Sequence, residues 1–329
     1  MDRKRIVALR RLKPAHLQRL REAFEVTYFE EPQHQPEAVG AALCRAHGLI
    51  GGKLQLSPAM LDEAPQLEVV STISVGYDNL PVAELSRRGI LLTNTPDVLT
   101  ETTADTAFML IMASARRLVE LATMVREGRW TQHVGEAQFG HDVHGKTLGL
   151  VGLGRIGQAI ARRARGFDMR VLYSNASPKP ALEAEWGIER RSFEQLLAES
   201  DFVCLTVPLT EQTEHLLGYQ QCQAMKRSAF LVNIARGKVV DEAGLIRALQ
   251  EGLIAGAGLD VFEQEPVACD SPLLRMDNVV TLPHIGSATW ETREAMANCA
   301  IDNLCQALRG ERPRDLVNPE AWALRHPHQ

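Results

Sequence analysis

The sequence predicts an α/β protein made of two doubly wound parallel-sheet domains. Short apolar runs alternate with helix-like stretches through the first hundred residues, and the alternation restarts at Thr147. Such alternation puts strands into a parallel sheet with helices on both faces. The second series also opens on a glycine-rich turn, Gly152-Leu-Gly-Arg-Ile-Gly157, set between a strand-like run and a helix-like one. At 329 residues the chain is long enough for two domains with full cores.

In the first series, residues 5–9, 25–29, 48–51, 69–74 and 90–93 are rich in β-branched or bulky apolar side chains and read as buried strands. Residues 14–23 and 58–64 read as helices between them. A long helix is expected over 101–126, with Thr102 and Asp105 as a capping box and Gly128 as its stop. Residues 130–145 are polar and read as a long loop. His133, His141 and His144 lie there, but no cysteine or carboxylate spacing accompanies them, so they read as solvated side chains and no metal is expected.

In the second series, 148–151, 170–173, 202–207, 230–234, 256–260 and 279–282 read as strands, about the number of a full dinucleotide-binding sheet. A last helix is expected over 287–308, followed by a proline-rich, irregular tail over 313–329. The expected division is 1–101 with 289–329 as one discontinuous domain, and 102–288 inserted into it.

A net charge of −5 gives no reason to expect a nucleic acid or an anionic membrane as partner, and 5% aromatic residues leave little for base stacking. None of the six cysteines forms a C-x-x-C pair, so they read as reduced thiols. The run after Met1-Asp2-Arg3-Lys4-Arg5 is too short for a signal peptide. The longest apolar stretch, 107–115, is about half a membrane span. These features together read as a soluble, cytoplasmic protein.

The run ending at Val151 and the helical stretch 158–164 place the glycine pattern on a strand–turn–helix, the context in which it binds a dinucleotide. Gly152 permits the tight turn, Gly154 lets backbone approach a pyrophosphate, and Gly157 lets helix pack on strand. The helix N-terminus supplies donors and positive potential. An NAD site usually offers an acid to the ribose about 20 residues further on. Here the second strand runs into Ser174, Asn175 and Ser177, with Lys179 behind and no acid. A 2′-phosphate is not repelled, so the reading favours NADPH. The arginine of many NADP sites is also missing from this loop, which leaves NADH open; Arg155, inside the glycine turn, is a candidate to help.

Three polar residues follow later strand-like runs beside turn residues: Arg236, Glu265 and His284. Alone, each has an ordinary reading as surface charge, turn residue or core histidine. All three at strand ends of one α/β domain fit the reduction of a 2-oxo acid, because ligands bind outside the carboxyl ends of such strands. A guanidinium holds the substrate carboxylate through a planar fork. A protonated imidazole neutralises charge developing on the carbonyl oxygen and delivers the proton. A carboxylate holds the ring and favours its charged form.

The sequence resembles the D-2-hydroxyacid dehydrogenase family over nearly its whole length. The resemblance lies in Ser74-Val-Gly-Tyr-Asp-Asn79, the glycine turn, Asn233-Ile-Ala-Arg-Gly237, the stretch 258–266 and Pro283-His-Ile-Gly-Ser-Ala288. Stretches 97–106 and 270–274 are similar to the bacterial glyoxylate/hydroxypyruvate reductase B and 2-ketogluconate reductase branch. The resemblance implies a flavodoxin-like substrate domain, a Rossmann dinucleotide domain, the cofactor in the cleft between them, and a homodimer formed through the dinucleotide domain. It implies that Arg236 binds substrate, Glu265 pairs with the histidine, and His284 is the acid/base. It adds Val75 and Gly76 as backbone donors to the substrate carboxylate. For the cofactor it implies Ile156 of the glycine turn, Ile234, Ala235 and Asp260 along the nicotinamide with His284 and Gly286 close by, and Pro208 and Thr213 nearer the adenosine. The implied substrates are small 2-oxo acids (glyoxylate, hydroxypyruvate or 2-ketogluconate), with D products. Two alternatives stand beside this reading: an NAD-linked dehydrogenase of a larger acid such as phosphoglycerate, and a non-catalytic, corepressor-like sensor of NAD(P).

Overall fold

The computed structural model describes residues 3–325 and falls into two units, Met1–Leu99 with Ser287–Gln329, and Thr100–Gly286. Met1, Asp2 and the last four residues of the expected tail lie outside the described residues.

The first unit holds five parallel strands: β1 (Arg5–Leu9), β2 (Glu25–Phe29), β3 (Gly48–Gly51), β4 (Val69–Thr72) and β5 (Leu91–Thr93). Their order is β2-β1-β3-β4-β5, the flavodoxin-like winding. β3, β4 and β5 are buried at every position, which is why they show no alternation of apolar and charged residues. Helix Trp290–Leu308 packs on this sheet, and the Ser71 hydroxyl donates to the Ala300 carbonyl at 2.8 Å. Beyond it the chain returns to β5: Val317 N–H donates to Leu92 O at 2.8 Å, and Asn318 Oδ1 accepts from Leu92 N–H at 2.8 Å.

The second unit holds seven parallel strands: β6 (Thr147–Val151), β7 (Arg170–Ser174), β8 (Glu189–Arg190), β9 (Phe202–Leu205), β10 (Phe230–Asn233), β11 (Gly256–Leu259) and β12 (Val279–Thr281). The order β12-β11-β10-β9-β6-β7-β8 reverses direction between β9 and β6, as in a Rossmann sheet. Alternate residues feed separate cores on the two faces: Phe202, Cys204 and Val232 on one, and Val203, Leu205 and Leu231 on the other. Burial pushes the Cys204 and Cys222 thiols up to about 12, so both are inert packing groups. Among the described residues no helix is long and apolar enough to cross a membrane.

The structure corrects several expected elements. The expected helix 101–126 is two helices, Thr100–Ala115 and Leu118–Arg126. Arg117 takes a left-handed φ of 52° and breaks the hydrogen-bond ladder, while its guanidinium bonds Glu120 and the Ala137 carbonyl. No glycine or proline marks this break, so apolar periodicity reads straight through it. The Thr102–Asp105 capping box is not formed: both lie inside the first helix, and Asp105 pairs with Arg163. The tail expected to be irregular contains helix Pro319–Arg325, with proline in the first helical position, where its missing N–H costs nothing. β8 has no counterpart among the expected strands, being two charged residues long.

Candidate active site

The glycine turn leaves β6 at the reversal point of the seven-stranded sheet, where such folds bind ligands. Gly152 has φ +98°, which an L side chain rarely adopts, and its N–H donates to Ser174 O at 2.8 Å. Thr206, at the end of β9, braces the turn by donating to Gly152 O at 2.7 Å. Gly154 precedes helix Arg155–Arg165 with no side-chain cap, and a Cβ built there meets nothing within 4 Å. The N–H groups of the first helical turn, among them those of Arg155 and Ile156, therefore face an open approach. A Cβ on Gly157 would lie 2.5 Å from Gly152 O, so only glycine lets the helix sit this close to the turn. This cradle fits a dinucleotide pyrophosphate.

Beside the turn, Asn175 Oδ1 accepts from Leu153 N–H at 3.4 Å, linking the end of β7 to the glycines, with Ser174 half-buried next to it. On the other flank, Pro208 and Thr213 form a closed loop in which the Thr213 hydroxyl donates to Pro208 O at 2.6 Å.

Arg236, Glu265 and His284 follow β10, β11 and β12, three adjacent strands. His284 Nδ1 lies 2.7 Å from Glu265 Oε2. The carboxylate fixes the ring and leaves Nε2 without a protein partner among the described residues. His284 itself has φ 55°, an uncommon backbone for a side chain of this size. Asp260 holds it there: Oδ1 accepts from Ile285 N–H at 2.7 Å and Oδ2 from Gly286 N–H at 2.8 Å. Burial pushes the Asp260 carboxyl above its ordinary value, opposed by those two donors. The Thr103 hydroxyl adds a bond to Gly286 O at 3.0 Å.

Arg236 is set by the buried Asn233, whose side chain accepts from Ala235 N–H and donates to Arg236 O, both at 3.0 Å. Ile234 and Ala235 are buried within this turn. A Cβ on Gly237 would fall 1.8 Å from the Phe262 carbonyl carbon, so glycine lets the β10 turn nest against the β11 turn that carries Glu265. Val75 and Gly76 belong to the first unit, in the turn after β4, where Asn94 donates to Val75 O at 2.8 Å.

The family model described as the NAD binding domain of D-isomer specific 2-hydroxyacid dehydrogenase matches residues 108–286. The glyoxylate/hydroxypyruvate reductase B of Yersinia enterocolitica is 54% identical over 311 residues, covering 93% of this chain and 95% of that one. This chain belongs to the D-2-hydroxyacid dehydrogenase family. Among solved structures, a protein of Thermus thermophilus is 42% identical with a TM-score of 0.87, covering 95% of this chain and 99% of that one. An NADPH-dependent glyoxylate/hydroxypyruvate reductase of Sinorhizobium meliloti, in complex with NADP and malonate, is 37% identical with a TM-score of 0.87, covering 97% and 98%.

For a D-2-hydroxyacid dehydrogenase, the three residues picked out by type lie at three neighbouring strand ends, and two of them are in direct contact. Sequence reasoning missed Asn233 and Thr206 as positioning residues. Asn233 stands in the strand-like run before Arg236, and its amide amid apolar neighbours was the available signal; nothing local marks Thr206 as a brace.

Proposed function

We propose that the protein reduces small 2-oxo acids (glyoxylate, hydroxypyruvate or 2-ketogluconate) to the D-2-hydroxy acids, preferring NADPH to NADH. The His284–Glu265 contact of 2.7 Å carries the reading, because it leaves an oriented Nε2 to act as a proton donor. The names of the Yersinia and Sinorhizobium relatives support the substrate class. The absence of any acid from Met169 to Leu182 supports NADPH.

A reduced dinucleotide, its pyrophosphate held at the glycine turn, would supply the hydride when bound. Arg236 grips the substrate carboxylate and aligns C2. As C2 is reduced, charge builds on its oxygen, and His284 Nε2 donates a proton there. Glu265 stabilises the imidazolium before that transfer, and Asp260 keeps the loop carrying His284 in place. The purified protein is expected to oxidise NADPH faster than NADH with glyoxylate, hydroxypyruvate or 2-ketogluconate, with pyruvate as comparison. Cofactor binding with no turnover on any of them would overturn the assignment.

Glu265→Gln keeps a hydrogen-bonding group beside His284 but removes the charge that favours imidazolium. The variant should lower kcat for reduction while leaving KM nearly unchanged. An unchanged kcat would remove Glu265 from this role.

The same reading makes the protein a homodimer in a reducing cytoplasm. Met109, Met112, Leu118 and Val119 are exposed on the two consecutive helices that open the second unit, a grouping that supports a covered face. Light scattering should give twice the 36.4 kDa chain mass, and Met112→Glu with Leu118→Glu should give monomer. A monomeric parent protein would contradict the dimer.

A further inference from the structure

The sequence offers no arginine in the loop after β7, where an NADP-binding sheet usually needs a cation. The structure brings one from the neighbouring strand. β8 pairs with β7 so that Arg190 lies opposite Tyr173, one residue before the end of β7. Its Nη2 donates to Asn175 O at 3.2 Å and to Ala176 O at 3.4 Å. The guanidinium therefore rests on the loop that, in a doubly wound sheet, faces the adenosine ribose.

Three facts leave this cation available. Arg190 is exposed, and its other two guanidinium nitrogens have no partner among the described residues. The arginines nearby are already committed: Arg170 and Arg191 both pair with Glu189 and Glu199. The local carboxylates are engaged as well. Arg170 and Arg191 hold Glu189 down at about 2, and Glu183, the first acid after the loop, accepts from the Tyr173 hydroxyl.

We infer that Arg190 is the specificity-determining residue that recognises the 2′-phosphate of NADPH. It presents a planar fork of donors to a phosphate monoester at the loop formed by Asn175 and Ala176. This inference rests on the NADPH preference proposed above, and the test separates the two. Calorimetry measures binding of NADP⁺ and NAD⁺, and of adenosine 2′,5′-bisphosphate and adenosine 5′-phosphate, to the parent protein and to Arg190→Gln and Arg190→Lys.

Arg190→Gln should weaken both 2′-phosphorylated ligands by roughly 10- to 100-fold, the scale of a hydrogen bond to a charged group. The ligands lacking that phosphate should change by less than about twofold, and Arg190→Lys should restore part of the loss. Equal loss for both ligand classes would mean that Arg190 only anchors the loop, and no loss would mean that it does not touch the phosphate; either overturns the inference. A parent protein that binds NADP⁺ and NAD⁺ alike would instead overturn the NADPH preference on which the inference stands.

Discussion

His284→Ala is expected to lower kcat for 2-oxo acid reduction by about a hundred- to ten-thousand-fold, the usual worth of a positioned general acid. KM should change far less, because the substrate carboxylate is held elsewhere. The position has φ 55°, so alanine also meets a backbone cost there. His284→Asn separates the two effects, since asparagine tolerates the left-handed region but cannot act as the acid. Both variants should bind NADP⁺ nearly as the parent does and lose turnover alike. Turnover within about threefold of the parent in the asparagine variant would remove His284 from the proton-donor role.

Arg236→Ala should be nearly as damaging but with a different kinetic signature. Removing a charged, two-pronged contact to a carboxylate costs roughly 1.5–3 kcal/mol in binding. Loss of alignment at C2 adds a fall in kcat. KM should rise and kcat should fall together, with kcat/KM reduced by about a hundredfold or more. The turn should survive the change, because the two Asn233 bonds to residues 235 and 236 remain when the bond from the guanidinium to Ala235 O, at 2.7 Å, is lost. Arg236→Lys should fall between, keeping charge without the fork. A variant that raises KM alone would mean that Arg236 binds substrate without orienting it.

The parallel strands were readable because strands buried on both faces appear as largely apolar runs, as in Phe202–Leu205 and residues 230–232. Their last one or two expected residues drop away where the neighbouring ladder ends; the final β10 pair is Asn233 with Leu205. The break at Arg117 was unreadable because it depends on a carbonyl at Ala137, twenty residues on. β8 was unreadable because it is a strand only through its pairing with β7. The glycine turn and the Arg236, Glu265 and His284 candidates were legible from residue type and from position at a strand end.

The sequence by itself determined the α/β class, the glycine turn and the types of chemical group available, since these follow from local periodicity and from the need for glycine at residues 152 and 157. Only the tertiary structure decided that Asp260 locks the His284 loop, that Thr206 braces Gly152, and that Arg190 lies beside Asn175 fifteen positions upstream. Each is a hydrogen bond between residues far apart in the chain. Strand order and register bring such pairs together, and no local pattern of side chains encodes them.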